Sequence, residues 1–229
     1  MKIGIIGAMA VEVESLKSKI KNAKREIVSG IEMVSGELCG KEVVVAQCGI
    51  GKVFAAICTE AMIVKYGVDS IINTGVAGTL SENIGILDLA ISRGVVQHDM
   101  DTSPLGDPVG LVSGINVIEF GAAERLYSVI SAEADKMGIK NEIGVIASGD
   151  QFINNKEKKS FIRDNFGAIA CEMEGAAIGH VCYVNGVDFA IIRSISDNAS
   201  GEADMEYPEM VKRAAVQSEA LVEATLRAL

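Results

Sequence analysis

Strand and helix signals alternate along the whole 229-residue chain, which predicts an α/β fold: a three-layer sandwich with a central mixed β-sheet and helices on both faces. Composition points the same way. Hydrophobic residues are 49% and charged residues 23%, enough for a full core, while aromatics are 4% with no Trp, so Ile, Val, Ala and Met must fill it. The 24 Gly against 3 Pro favour tight turns over Pro-rich linkers. No repeat, low-complexity segment or composition shift marks a boundary, and residues 1–229 are expected to form a single domain.

The elements follow in order. The continuous apolar run Ile3–Ile6 reads as a buried strand. A helix comes next, with Met9, Val13, Leu16 and Ile20 on one face and Glu14, Lys17 and Lys21 turned away. Glu26–Ser29 and Ile31–Leu38 read as strands paired around Gly30, and Val43–Cys48 as a further strand ending at Gly49-Ile50-Gly51. Lys52–Tyr66 is helical and apolar nearly all round. Val53, Ile57, Ala61 and Val64 line one side and Phe54, Cys58 and Met62 another, so the helix is expected to be covered twice, once by a second subunit. A strand at Ser70–Thr74 leads into a Gly-rich turn at Gly75–Gly78, and another strand spans Leu87–Val96. The stretch His98–Ile115, with Pro104 and Pro108, lacks periodicity and is the longest loop. An amphipathic helix covers Ala122–Met137. Strands at Ile143–Ser148, Ala168–Met173 and Val187–Ser196 alternate with helices at 156–165, 174–185 and 205–228.

Charge and cysteines narrow the function classes. The formal net charge is −10, which repels phosphates and argues against a nucleic-acid partner. Cys39, Cys48, Cys58, Cys171 and Cys182 form no C-x-x-C pair and read as reduced core residues of a cytoplasmic protein. The N-terminal apolar run meets Glu12 and Glu14 too soon for a signal peptide, and no window approaches the ~18 apolar residues of a membrane span.

Three constellations could carry chemistry. In Gly4-Ile5-Ile6-Gly7-Ala8-Met9-Ala10-Val11-Glu12 a strand enters a helix, where a dinucleotide fingerprint would sit. Met9 and Glu12 occupy positions where that fingerprint needs Gly, and Glu12 would repel a pyrophosphate. Glu12 then either complements the helix dipole or serves as a general base at the carboxyl edge of the sheet. In Cys171-Glu172-Met173-Glu174-Gly175 two acids end a buried strand; extended parity puts both on one face and Met173 on the other. They either cap a helix or hold sugar hydroxyls, two of which one carboxylate can accept. In Ile191-Ile192-Arg193-Ser194-Ile195-Ser196-Asp197, alternation places Arg193 and Asp197 on one face and Ser194 and Ser196 on the other. An Arg inside an apolar strand requires an acid, and Glu12 or Glu174 could supply it. The Gly-rich segment Gly75-Val76-Ala77-Gly78 could let ribose or a flat ring approach the backbone, and no P-loop Lys follows it. His98 and His180 lack the companions of a metal site, and His180 reads as structural.

GIIGAM with an acid at 12, SIINTGVAG, HDMD, SGDQFI, CEMEGAAIGHV and RSISD follow one another over essentially the whole chain. Together they resemble the 5′-methylthioadenosine/S-adenosylhomocysteine nucleosidases of the purine nucleoside phosphorylase-like superfamily. The resemblance implies that fold, a homodimer, no cofactor and no metal. It implies hydrolysis of an adenosine N-glycosidic bond in methionine salvage, on methylthioadenosine, S-adenosylhomocysteine and 5′-deoxyadenosine. By the resemblance Glu12 polarises the water beside Arg193, and Asp197, steadied by Ser196, protonates adenine N7. Glu172, Glu174 and the Met173 backbone hold the ribose. Phe152 stacks on adenine and the Ile153 backbone reads its edge. Met9, Ile50, Val76, Ala77 and Gly78 line the pocket, and the loop with Leu105 and Pro108 closes the 5′ end of the partner subunit's site. Val76 stands where relatives often carry Ser, and Leu87-Asp88 where Gly-Asp is common.

A purine nucleoside phosphorylase is the main rival. Glu12 opposes it by repelling phosphate, and no Arg is expected near the Gly-rich turn to offset that charge. A catalytically dead nucleoside-binding protein and a dinucleotide enzyme are the others.

Overall fold

The strand β1 (Lys2–Gly7) is buried almost throughout and pairs in parallel with β4 (Lys41–Gln47) and β5 (Ser70–Thr79). The structure, a computed structural model, describes the backbone of residues 1–197 and 207–229 and the side chains of 1–196 and 209–229. Beyond β4, the hairpin β2 (Lys21–Val28) and β3 (Ile31–Leu38) extends the sheet antiparallel. On the other side of β5, β10 (Asp188–Asp197) runs parallel to it and antiparallel to β6 (Leu89–Gln97). Next come β8 (Asn141–Ser148) and β9 (Ala168–Glu172), and β9 returns to pair with β5. The strands β5, β10, β6, β8 and β9 therefore close on themselves, while β1, β4, β3 and β2 form an open wing. A short strand β7 (Glu119–Gly121), absent from the sequence reading, pairs with β6.

Helices cover both faces. On one, α1 (Ala10–Ser18), α3 (Glu124–Lys136) and α6 (Tyr207–Ala228) bring Val13, Leu16, Leu126, Ile130 and Leu221 onto Ile3, Ile5, Ile72 and Ile192. On the other, α2 (Lys52–Tyr66) and α5 (Gly175–Asn185) set Cys58, Met62, Ala176 and Ile178 against Ile6, Val44, Ile71 and Ile191. The remaining helix α4 (Lys156–Phe166) seats Ile162 with Val145, Ala147 and Ala168. This is the expected sheet between helical layers. The first two residues of the expected helix 205–228 lie outside the described residues. Among those described, no helix is long and apolar enough to cross a membrane.

Five local readings change. The segment Gly75–Gly78 is not a turn: it continues β5, because Gly75, Val76, Ala77 and Gly78 each pair with a residue of β10. Strand β9 stops at Glu172, and Glu174 is the N-cap of α5 with φ −133° and ψ −41°, so strand parity does not apply to it. Lys17 is buried, not turned away; its ammonium meets Glu14 at 2.8 Å and Glu32 at 3.4 Å while its stem covers apolar surface. The β5–β10 register slips between Ile195 and Asp197, so alternation does not carry through to Asp197. The loop after His98 is not featureless: Ser103–Leu105 form one 3-10 turn, and Val112 bridges Val117.

Candidate active site

Ligands of open α/β sheets collect at the carboxyl ends of strands. Here the ends of β1, β5, β9 and β10 and the loops after β4 and β8 surround one cleft. Met9, Glu12, Ile50, Val76, Ala77, Gly78, Phe152, Ile153, Glu172, Met173, Glu174, Arg193 and Ser196 all line it. Ala8, Gln151 and Cys171 line it too and were missed, although each adjoins a residue singled out in GIIGAM, SGDQFI or CEMEG. Leu105 (84% exposed) and Pro108 do not line this cleft. The Asp197 side chain lies outside the described residues.

Glu12 sits in the first turn of α1 and reaches back, its Oε2 accepting the Met9 N–H at 2.9 Å. The capping and functional readings of this residue are thus compatible, because the capping Glu12 also lines the cleft. Burial pushes the Glu12 carboxyl above its ordinary range; the Arg193 charge and backbone N–H groups oppose this without cancelling it.

Arg193 is 1% exposed on β10. Its chief partner is Glu172, by a short ion pair, followed by Asn73 Oδ1 at 2.5 Å and Glu174 at 3.5 Å. Glu12, named as a candidate partner from the sequence, makes no ion pair with it and acts only through its field. Burial works against the Arg193 charge, but the carboxylates of Glu172, Glu174 and Glu12 outweigh it and hold the pKa above the ordinary Arg value. Gly75 is required here: a Cβ would collide with Arg193 Nη1 and lie 2.8 Å from Glu12 Oε1. An Arg does therefore lie against the Gly-rich segment, contrary to expectation, because β10 pairs with β5 although the two are far apart in sequence. It is already neutralised by protein carboxylates, so it offers little to an added phosphate.

Glu172 is saturated within the protein. Its oxygens accept from Arg193, from the Ser148 hydroxyl, from the Gly175 N–H at 2.9 Å and from the Glu174 N–H at 3.1 Å. It caps α5 and fixes Arg193 at once, which leaves it poorly suited to the ribose contact expected of it. Glu174 accepts the Gly51 N–H at 2.9 Å. Burial first, and Glu172 next, push its carboxyl up to about 7 against the pull of Arg193. Ser196 donates to the Ala77 carbonyl at 3.2 Å, and it lines the cleft together with Arg193 despite the opposite parity read from alternation. Ile153 is buried and Phe152 is 71% exposed at the rim. Asn73 and Ser148 fall within the SIINTGVAG and SGDQFI motifs but have no role assigned from the sequence; each is a polar side chain fully buried among apolar neighbours. Outside the cleft, His180 stacks on Phe120 with centroids 4.8 Å apart, in keeping with a structural role. Among the described residues no His, Cys, Asp or Glu cluster has the make-up of a metal site.

A family model described as the phosphorylase superfamily matches residues 2–227. A 5′-methylthioadenosine/S-adenosylhomocysteine nucleosidase of Shewanella halifaxensis is 40% identical over 230 residues, covering 100% of both chains. The chain belongs to this nucleosidase family of the phosphorylase superfamily. A Campylobacter jejuni nucleosidase of the same description superposes with a TM-score of 0.95 at 34% identity, covering 100% of both chains. A Helicobacter pylori nucleosidase variant holding 5′-methylthioadenosine in its active site gives 0.93 at 35%, covering 100% of this chain and 99% of that one. A futalosine hydrolase of Helicobacter pylori also gives 0.93, at 36% identity and 98% coverage of its chain. The nucleosidase family thus shares this curled sheet from end to end.

Proposed function

We propose that the protein hydrolyses the N-glycosidic bond of 5′-methylthioadenosine and S-adenosylhomocysteine, giving adenine and the 5-substituted ribose. The observation that carries this is the buried ring of carboxylates around one cleft: Glu172 and Glu174 pair with Arg193, while Glu12 makes no ion pair among the described residues. The reaction passes through a ribosyl cation, which a negative, water-poor floor stabilises. Glu12, raised in pKa by burial, is suited to take a proton from the attacking water. Glu174 holds the ribose hydroxyls with the Met173 backbone, and its contact strengthens as positive charge develops on the sugar. Asp197 protonates adenine N7. Phe152 stacks on the base, the Ile153 backbone reads its edge, and Val76, Ala77 and Gly78 let the ribose lie close to β5. Glu172 positions Arg193 and Glu174 and does not itself bind the sugar. The reading extends to 5′-deoxyadenosine as substrate, to residues 1–229 acting as one domain without cofactor, and to a cytoplasmic place in methionine salvage. Five free cysteines suit a reducing compartment.

The same reading makes the protein a homodimer. Val53, Phe54, Ile57 and Val64 of α2 and Tyr183 and Val184 of α5 leave an apolar face exposed. A second subunit would cover it and bring Leu105 and Pro108 to the partner subunit's cleft. Sedimentation finding a fully active monomer would contradict this.

The test of the reaction is adenine release from methylthioadenosine in phosphate-free buffer, repeated with phosphate. Hydrolysis predicts equal rates and a free 5-thioribose. Strict phosphate dependence with a ribose-1-phosphate product would establish a phosphorylase instead.

A further inference from the structure

Helix α2 begins without a cap of its own. Its N-cap is Gly51 at φ 99°, which has no side chain to satisfy the first N–H groups. Two carboxylates from distant segments take that place. Glu174 accepts the Gly51 N–H at 2.9 Å, and Asp150 accepts the Lys52 N–H at 2.8 Å. Asp150 is held in turn, its own N–H donating to Asp99 Oδ2 at 2.9 Å. Asp99 Oδ1 pairs with the Lys52 ammonium at 2.7 Å, and that ammonium also donates to Gln97 at 3.1 Å. The loop closes on itself: Lys52 to Asp150 to Asp99 and back to Lys52. A Cβ on residue 51 would lie 2.9 Å from Asp150 Oδ1, so the cap also requires glycine there.

The chain on either side of this loop lines the cleft. Ile50 stands two residues before Lys52, and Phe152 two residues after Asp150. We propose that Asp150, Asp99 and Lys52 form a positioning clamp that holds the Ile50 wall and the Phe152 wall of the cleft at a fixed separation. The motifs HDMD and SGDQFI, whose acids have no part in the reaction, acquire a role by this route. The proposal rests on the nucleoside lying between those walls; the clamp residues touch no substrate. Burial alone would raise the Asp99 carboxyl, but Lys52 and the Asp150 N–H hold it below its ordinary value, so the clamp stays charged. A spacer that sets wall separation acts on binding before chemistry, because the reacting groups sit on the helix starts and the strand end below.

The test compares Asp150→Ala, Asp150→Asn and Asp99→Ala in the full-length protein. Asp150→Ala removes the acceptor and should raise KM for methylthioadenosine about tenfold, the scale of a lost capping bond. Its kcat should change less than about threefold, and Asp150→Asn, which keeps an acceptor oxygen, should restore KM to within about threefold. Asp99→Ala should fall between them. Hydrogen exchange at the amides of 51–53 should quicken in Asp150→Ala and recover in Asp150→Asn. An unchanged KM in Asp150→Ala, a fall in kcat at constant KM, or an Asn variant as impaired as Ala would overturn the clamp. If the wild-type protein released no adenine, the functional reading would fail, and the exchange rates would still decide whether the clamp exists.

Discussion

The floor and the rim of the cleft are built on opposite principles. In the floor, Arg193, Glu172, Glu174, Glu12 and Asn73 are all buried, and most of their polar atoms are satisfied by one another or by backbone. They come from three strands and two helix starts, and each is stable only in the presence of the others. At the rim, Phe152 projects from a loop into solvent and Ile50 is more than half exposed. Nothing in the core depends on them. On the proposed reading the floor, which stands or falls together, carries the chemistry, and the adjustable rim carries affinity.

The largest effect should come from breaking the floor. Arg193→Ala leaves Glu172 and Glu174 buried without their cation, and should cost about 3–5 kcal/mol in urea unfolding together with most activity. A loss under about 1 kcal/mol would show that the floor carboxylates do not depend on this cation. Milder changes test chemistry without unpairing charge. Glu12→Gln keeps an oxygen for the Met9 N–H, so stability should hold while kcat falls about 10²–10⁴-fold, and Asp197→Asn should fall by a similar factor. A substrate with an easily departing aryl group at C1′ should rescue Asp197→Asn far more than Glu12→Gln; equal deficits on it would refute the division into acid and base.

Acidity offers a third separation. With the Glu174 carboxyl raised to about 7, kcat/KM should climb roughly tenfold per pH unit below 7 and level off above it. Stability should move the other way. A carboxyl whose folded pKa is raised binds its proton more tightly when folded, so its contribution is complete below the ordinary 4.5 and is lost as pH rises toward about 7. The stability difference between wild type and Glu174→Gln, followed by denaturant unfolding from pH 4 to 8, should show that decline, and a flat difference would remove the assigned shift. The smallest structural effect belongs to the rim. Phe152→Ala should raise KM about 5- to 100-fold through lost base stacking. Its unfolding free energy should stay within about 0.5 kcal/mol of wild type.

Legibility in the sequence follows the same division. Helix α2 was readable to the residue, because an apolar helical run ends at Gly67, whose φ of 60° closes it. Glu12, Glu174 and Arg193 stood out because a charge in or beside an apolar run must be paired or used. The pairing itself was not readable. Arg193 was matched to Glu12 or Glu174, whereas Glu172 holds it most tightly. Parity failed at Glu174 because the strand had ended, and it does not carry to Asp197 because the register slips. Lys17, expected to turn away, is buried, and Asn73 has no role assigned from the sequence, since their partners are set by packing between elements.

The sequence by itself determined the class of fold and the order of its elements, β7 apart, through local signals: periodicity of apolar residues, breakers between segments, and charged residues placed where burial would penalise them without a purpose. The family and the reaction came from the resemblance carried by its six motifs. The tertiary structure alone decided that the sheet closes through β5, β10, β6, β8 and β9, that Glu172 serves Arg193 and the start of α5, and that Asp150 caps a helix 98 positions away. The sheet closure, the Glu172–Arg193 pair and the Asp150 cap are each contacts between segments remote in sequence. Each partner is selected by which strand ends and helix starts converge in space, and no local pattern encodes that convergence.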